Sequence, residues 1–274
     1  MRSTTAVGIA AAFVALAFAV VLEGGGLASM LNIPALVIVL VGTGAATAAS
    51  TSFAQVKQVP ALYRVAFAGS KLDPTSAAKQ MVRLSEKARR EGLLALEKDV
   101  KGIDDEYTRK GIQLVVDGTD SELVRAILQS EIDGMAQRHA LNAHLFSIAG
   151  GFAPTLGILG TVLNLVHVLE NLSTPGKIGH SIAGAFLATL YGVGSANLVL
   201  LPVANKLRAL SAEEALYRTM LLEAVLSIQA GDNPRMLGEK LETFIPPGER
   251  SADEPIAAKP AAAPAGPRFG ERAA

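Results

Sequence analysis

Four stretches of this chain carry no Asp, Glu, Lys or Arg over the length a bilayer demands: Ala6–Leu22, Ile33–Phe53, Leu145–Leu169 and Ser181–Val203. At ~1.5 Å per residue, a helix of each length can cross a hydrocarbon core of ~30 Å. That leaves little choice of architecture. The residues are 50% hydrophobic and 18% charged, values natural to a polytopic membrane protein and hard for a soluble domain of this size to reach. The expected fold is all-α: four transmembrane helices and a helical cytoplasmic domain.

The spans hold more than a lipid anchor needs. In Ser181–Val203, small residues recur every four positions at Gly184, Ala188, Gly192 and Ala196. This spacing lays a smooth ridge along one helix face, where another backbone can approach closely. In Ile33–Phe53 the second half is nearly all Gly, Ala, Ser and Thr, with Gly42, Ala46 and Ser50 four apart. Too weakly apolar to face lipid all round, that half is expected to be buried against other helices. The first run has a rival reading as a cleaved leader, since Arg2 precedes it; its length and the second span close behind favour a membrane hairpin.

Charge sets the topology. Fourteen Lys/Arg fall between Lys57 and Arg138, whereas the connection Asn171–His180 holds only Lys177. Positive residues accumulate on the cytoplasmic side, so the long region and both termini are expected inside. The resulting division is a hairpin at 1–55, a cytoplasmic helical domain at 56–143 and membrane helices three and four at 144–204. Cytoplasmic helices follow at 205–247, then an Ala/Pro-rich tail at 248–274 too poor in large apolar residues to fold.

Within the cytoplasmic region Asp73-Pro74 opens a helix as N-cap and first residue. Ala78, Met81, Val82, Leu84 and Ala88 keep its apolar period. The run KARREGLLALEKDVKG follows; if helical throughout, Arg90 and Glu97 share a face at ~100° per residue, with Arg89 roughly 80° round. From Asp120 or Ser121 a helix is expected to run without a breaker into the third span. Gly231-Asp232-Asn233-Pro234 turns the chain into a last short helix.

Several chemistries are excluded. There is no cysteine, no phosphate-binding glycine loop, no nucleophile elbow and no His-Glu metal helix. His139, His144 and His180 show no ligand spacing. No enzyme activity, cofactor or metal is expected, and balanced charge gives no reason for nucleic acid. A self-contained transporter with inverted repeats would need spans one and two to resemble three and four, which they do not. Nor does any span contain a carboxylate: Glu23 and Glu170 sit at span ends, and His167 is the one side chain inside a span that can titrate near neutral pH. His167 lies near the outer boundary and is read as an interfacial or packing residue. An ion relay needs an ionisable group at depth, so a partner helix must supply it.

The pattern APTLGILGTV, a short hinge, then FLATLYGVGSANLVLLPVANKL resembles the paired membrane helices of the MotA/ExbB/TolQ superfamily. LEGG after the first span, VLVGTGAA in the second, ARREGLLALEKDV and IQAGDNPRMLGEKLETFIPP resemble its MotA branch, the A subunits of flagellar stators. The likeness covers residues 6 to 248. ExbB and TolQ proteins have three spans, which the hairpin argues against; an ExbB/TolQ-like force generator acting on an envelope partner is the alternative. The resemblance implies a homopentamer in the bacterial cytoplasmic membrane, around a MotB-like single-span subunit carrying the membrane aspartate. Ion flow, H+ in preference to Na+, would turn it against the rotor protein FliG. The family's membrane prolines fall on Pro154 and Pro202, its channel threonines on Thr161 and Thr189. Its rotor-facing charges fall on Arg89 and Glu97, with Arg90 able to share the contact. Read without the family, the threonines can simply bond the carbonyl four residues back, the prolines can simply kink, and the charges form a solvated face. Asn164 stands where the family usually has glycine.

Overall fold

A computed structural model describes residues 4–70, 72–173 and 175–249; the remainder of the tail lies outside the described residues. Nine helices of nine residues or more are found among them. We label them α1 Thr4–Leu22, α2 Ile33–Ser50, α3 Phe53–Ala68, α4 Pro74–Glu91, α5 Glu106–Val116, α6 Ser121–Glu170, α7 Pro175–Ser195, α8 Leu201–Ala230 and α9 Pro234–Glu242. A π turn, Ala196–Leu200, joins α7 to α8 without a break, and another, Val37–Val41, lies within α2. Four helical stretches are long and apolar enough to cross a membrane: α1, α2, α6, and the continuous helix through α7 and α8. The expected unbroken helix into the third span is observed as α6, with Asp120 Oδ1 accepting the Glu122 amide at its start.

The described residues form two compact units, one within 4–70 and 134–213, the other within 72–133 and 214–249. The first contains the membrane helices. The expected ridge is buried there: Ala188 and Ala196 are fully covered, and Gly184 and Gly192 are buried. The small-residue half of α2 behaves otherwise. Thr43 and Thr47 are its buried positions, Gly42 is half-buried against Leu156, and Ser50 is exposed. Gly44, Ala45, Ala48 and Ala49 are also exposed, so most of this half is uncovered in the single chain. Where every residue is small, no four-residue period marks one face above another, and the contact falls one position round from Gly42 and Ala46. A capping box at Ser52 and Gln55 starts α3. Its Leu62 and Ala66 pack with Phe146 of α6 and Val203, Ala204 and Leu207 of α8, and Tyr63 meets the Phe146 ring edge-on at 5.1 Å.

The second unit has an aqueous-type core. Ala78, Met81, Val82, Leu84 and Ala88 of α4 all enter it, as their period requires. They meet Ile112 and Val115 of α5, Val124 and Leu128 at the start of α6, Val225 and Ile228 of α8, and Leu237 and Leu241 of α9. Asp73 caps α4 by accepting the Ser76 amide, and Asn233 caps α9 by accepting that of Arg235. The helix does not continue through KARREGLLALEKDVKG. It stops at Glu91 because Gly92 turns the chain at φ +86°, and a short 3-10 turn and a one-turn helix, Glu97–Val100, follow.

Candidate ion path

The pairing of α6 with α7 is set by glycines. A Cβ on Gly192 would lie 2.6 Å from the Ala153 carbonyl oxygen, and one on Gly157 would lie 2.9 Å from that of Ala188. The two backbones therefore touch, a distance that only glycine permits. Gly157 plays this part opposite the ridge, and it lies on a small-residue period of its own helix, Ala149, Ala153 and Gly157, all buried.

This close approach brings Thr161 of α6 and Thr189 of α7 into one hydrogen bond, 2.6 Å between hydroxyl oxygens. Thr161 Oγ1 also lies 3.1 Å from the carbonyl of Gly157, in its own helix, and 3.1 Å from that of Ala185 on α7. A hydroxyl has one proton and two lone pairs. When Thr161 donates to a carbonyl, Thr189 must donate to Thr161, and the chain O–H···O–H···O=C leaves acceptor capacity at Thr189. Both residues are half-buried. The bland possibility, each threonine bonding only the carbonyl four residues back, describes part of Thr161 and misses the inter-helical pair.

The prolines lie at a common level. Pro154 cannot donate to the Gly150 carbonyl, and Leu201, the residue before Pro202, packs over Gly150: a Cβ there would be 2.7 Å from its side chain. Pro154 sits inside an uninterrupted α-helix. Pro202 follows the Leu201 cap of the π turn, whose amide reaches back to the Ala196 carbonyl. The wider turn accommodates the donor that Pro202 lacks. Sequence reading gives the kink-forming residue but not this turn.

At the outer end, Tyr191 of α7 staples the entry to α2. Its hydroxyl donates to the Met30 carbonyl and accepts the Asn32 amide at 3.1 Å. His167 is exposed, 3.6 Å from Glu170.

In the other unit, Arg89 and Arg90 end α4 and Glu97 begins the next short helix; all three are exposed. Because Gly92 intervenes, the shared helical face expected for Arg90 and Glu97 does not exist. What fixes the turn between them is Lys87, whose Nζ pairs with Asp99 Oδ2 at 2.8 Å. The hydrogen bond to Asp99 raises the Lys87 pKa above its ordinary value. No ion pair engages Arg89, Arg90 or Glu97 among the described residues. Likewise, no group of His, Cys, Asp and Glu there could hold a metal ion.

The MotA/TolQ/ExbB proton channel family profile matches residues 99–220. Motility protein A of Borreliella burgdorferi is 39% identical over 251 residues, 92% of this chain and 96% of that protein. The chain belongs to this family. Two solved structures extend the likeness to three dimensions. The flagellar MotAB stator complex from Bacillus subtilis matches at TM-score 0.85 and 36% identity, covering 90% of this chain and 98% of that one. C. jejuni MotAB matches at TM-score 0.86 and 27% identity, covering 94% and 100%. The family member described here is therefore a multi-pass inner-membrane protein with a cytoplasmic helical domain, an ion-driven force generator of the stator type. The hairpin α1–α2, absent from the three-span ExbB/TolQ pattern, agrees with its MotA likeness.

Proposed function

We propose that this chain is the A subunit of a flagellar stator, forming a homopentamer around a MotB-like single-span partner and converting ion flow into torque on the rotor protein FliG. The observation that carries this reading is the Thr161–Thr189 hydroxyl pair, held by backbone contact between two spans that contain no carboxylate. A carboxylate from the partner's helix would complete the relay. The acceptor capacity at Thr189 suits a protonated carboxylic acid or a hydrated ion, and after proton loss a threonine hydroxyl can turn to donate to the carboxylate. That two matched structures are of MotAB complexes supports the partner.

Pro154 and Pro202, meeting through Gly150 and Leu201, are the places where the helices adjust as that carboxylate changes charge. Arg89, Arg90 and Glu97 are the rotor contact. Exposed charges suit a contact made and broken repeatedly, since screening keeps each one weak. The coupling ion is taken to be H+, driven by ~2.3 kcal/mol per charge per 100 mV of membrane potential.

In cells lacking their own A subunit but supplied with the partner, the chain restores swimming. Arg89→Glu combined with Glu97→Lys abolishes swimming while the subunit still assembles in the membrane. Unimpaired motility of that double variant contradicts the rotor assignment. Swimming speed is flat against external sodium at fixed pH; a steep dependence contradicts proton coupling.

A further inference from the structure

Asn164 stands one helical turn outward of Thr161 on α6, ~4.5 Å along the axis at ~1.5 Å per residue. Its side chain folds back as Thr161 does: Nδ2 donates to the Gly160 carbonyl at 2.8 Å. This fixes the amide and aims its oxygen at α7, where it lies 2.8 Å from the position a Cβ would take on Gly184. The same empty position is 2.9 Å from Asn32 Nδ2, at the start of α2. Gly184 therefore lets an amide oxygen from one span and an amide nitrogen from another close onto the α7 backbone, where a Cβ would not fit.

Both amides are held in place. Asn32 is 8% exposed, its Oδ1 accepts the Ala35 amide at 3.1 Å, and its backbone amide donates to the Tyr191 hydroxyl. Asn164 Oδ1 has no hydrogen-bond donor among the described residues. A half-buried amide oxygen at membrane depth is stabilised by any donor or cation that reaches it. Gly184 adjoins Ala185, whose carbonyl accepts from Thr161. Asn164 Oδ1 and the threonine hydroxyls thus form successive polar steps along one helix pair.

We propose that Asn164 is a further ion-path residue. Its amide oxygen is the outer step at which the ion, still carrying water, is received before it reaches the threonine pair. Asn32 is a positioning residue that faces it across Gly184. This rests on reading the threonines as the ion path, and it goes beyond that reading by adding an amide oxygen one turn outward of them.

The test uses the full stator complex in cells, with motor rotation measured by an attached bead as external coupling-ion concentration is varied at fixed membrane potential. Asn164→Gly removes the oxygen and leaves a residue that fits. It raises the half-saturating ion concentration about fivefold, the scale of one lost hydrogen-bonding contact, and leaves saturating speed unchanged. Gly184→Ala, whose Cβ would push both amides apart, shifts it in the same direction. A lower saturating speed without a shift in half-saturation would show a structural role only and overturn the proposal, as would no change at all. Thr161→Val in the same assay separates the two readings. If it stops rotation while Asn164→Gly changes nothing, the threonine path stands and this inference falls; if it changes nothing, the threonine path falls as well.

Discussion

The membrane unit and the cytoplasmic unit are built by opposite means. Of the largest fully buried side chains among the described residues, Phe146 alone belongs to the membrane unit; Met81, Leu96, Ile112, Leu128, Met220, Ile228 and the others all lie in the cytoplasmic one. The membrane unit buries alanines instead, such as Ala35, Ala153, Ala185, Ala188 and Ala196, and exposes Val14, Phe18, Val162 and Phe186. The physics differs on the two sides. In water, burying apolar area stabilises by ~25 cal/mol per Å². In lipid that reward is absent, so helices associate through close backbone approach and hydrogen bonds between spans. The consequence is functional. Glycine contact brings Thr161 and Thr189 together, and the uncovered small-residue half of α2 leaves surface for other helices.

The contrast can be broken most severely at Gly192. Gly192→Val forces a side chain into the Ala153 carbonyl, separates α6 from α7, and is expected to abolish both stable assembly in detergent and swimming. Preserved assembly would show that backbone contact is not what holds the pair. In the cytoplasmic unit the large effect comes from removing bulk. Leu128→Ala is expected to destabilise by about 2–5 kcal/mol, read as faster amide exchange in that unit of the full-length protein. Val14→Ala, 67% exposed on α1, should shift nothing in that readout.

These large effects follow features that differ in how far sequence exposes them. The ridge at Gly184, Ala188, Gly192 and Ala196 is legible because bulky Phe186, Leu187 and Leu190 lie between its members. In α2 the same spacing at Gly42, Ala46 and Ser50 misleads, since small neighbours surround it. The caps at Asp73 and Asn233 are local and therefore readable. Gly92 is harder: helix-forming residues flank it, and only its φ of +86° shows that it terminates rather than interrupts. The tie between Tyr191 and Asn32 joins residues 159 apart, and no local pattern carries it. The family likeness points to the two threonines; their hydrogen bond depends on the helix pairing, which single-chain periodicity cannot supply.

A moderate effect is expected at Glu223, which accepts from Lys240 at 2.6 Å and Arg125 at 3.1 Å. Burial pushes its carboxyl up, but the Lys240 and Arg125 hydrogen bonds outweigh burial and hold it below its ordinary value. The folded pKa lies below the unfolded one, so this stabilisation is present above the unfolded value and is lost as pH falls through the folded value. Glu223→Gln should flatten the acid limb of stability against pH in the cytoplasmic unit; an unchanged limb would show that the pair contributes nothing there. The smallest effect is expected at Thr43, whose buried hydroxyl has no hydrogen-bond partner among the described residues. Thr43→Val should leave assembly unchanged or slightly firmer, since no hydrogen bond within the protomer is lost. A marked loss would mean that another helix supplies the missing partner.

The central claim is that two hydroxyls, held together by glycine contact, are the chain's share of an ion relay completed by a partner carboxylate. Ion uptake into proteoliposomes containing the chain with its MotB-like partner tests it directly. Thr161→Val with Thr189→Val keeps the size and shape of both residues and removes both hydroxyls. The expected result is an assembled complex of normal stability with ion uptake reduced to the level of empty vesicles. Uptake equal to that of the unaltered complex would contradict it.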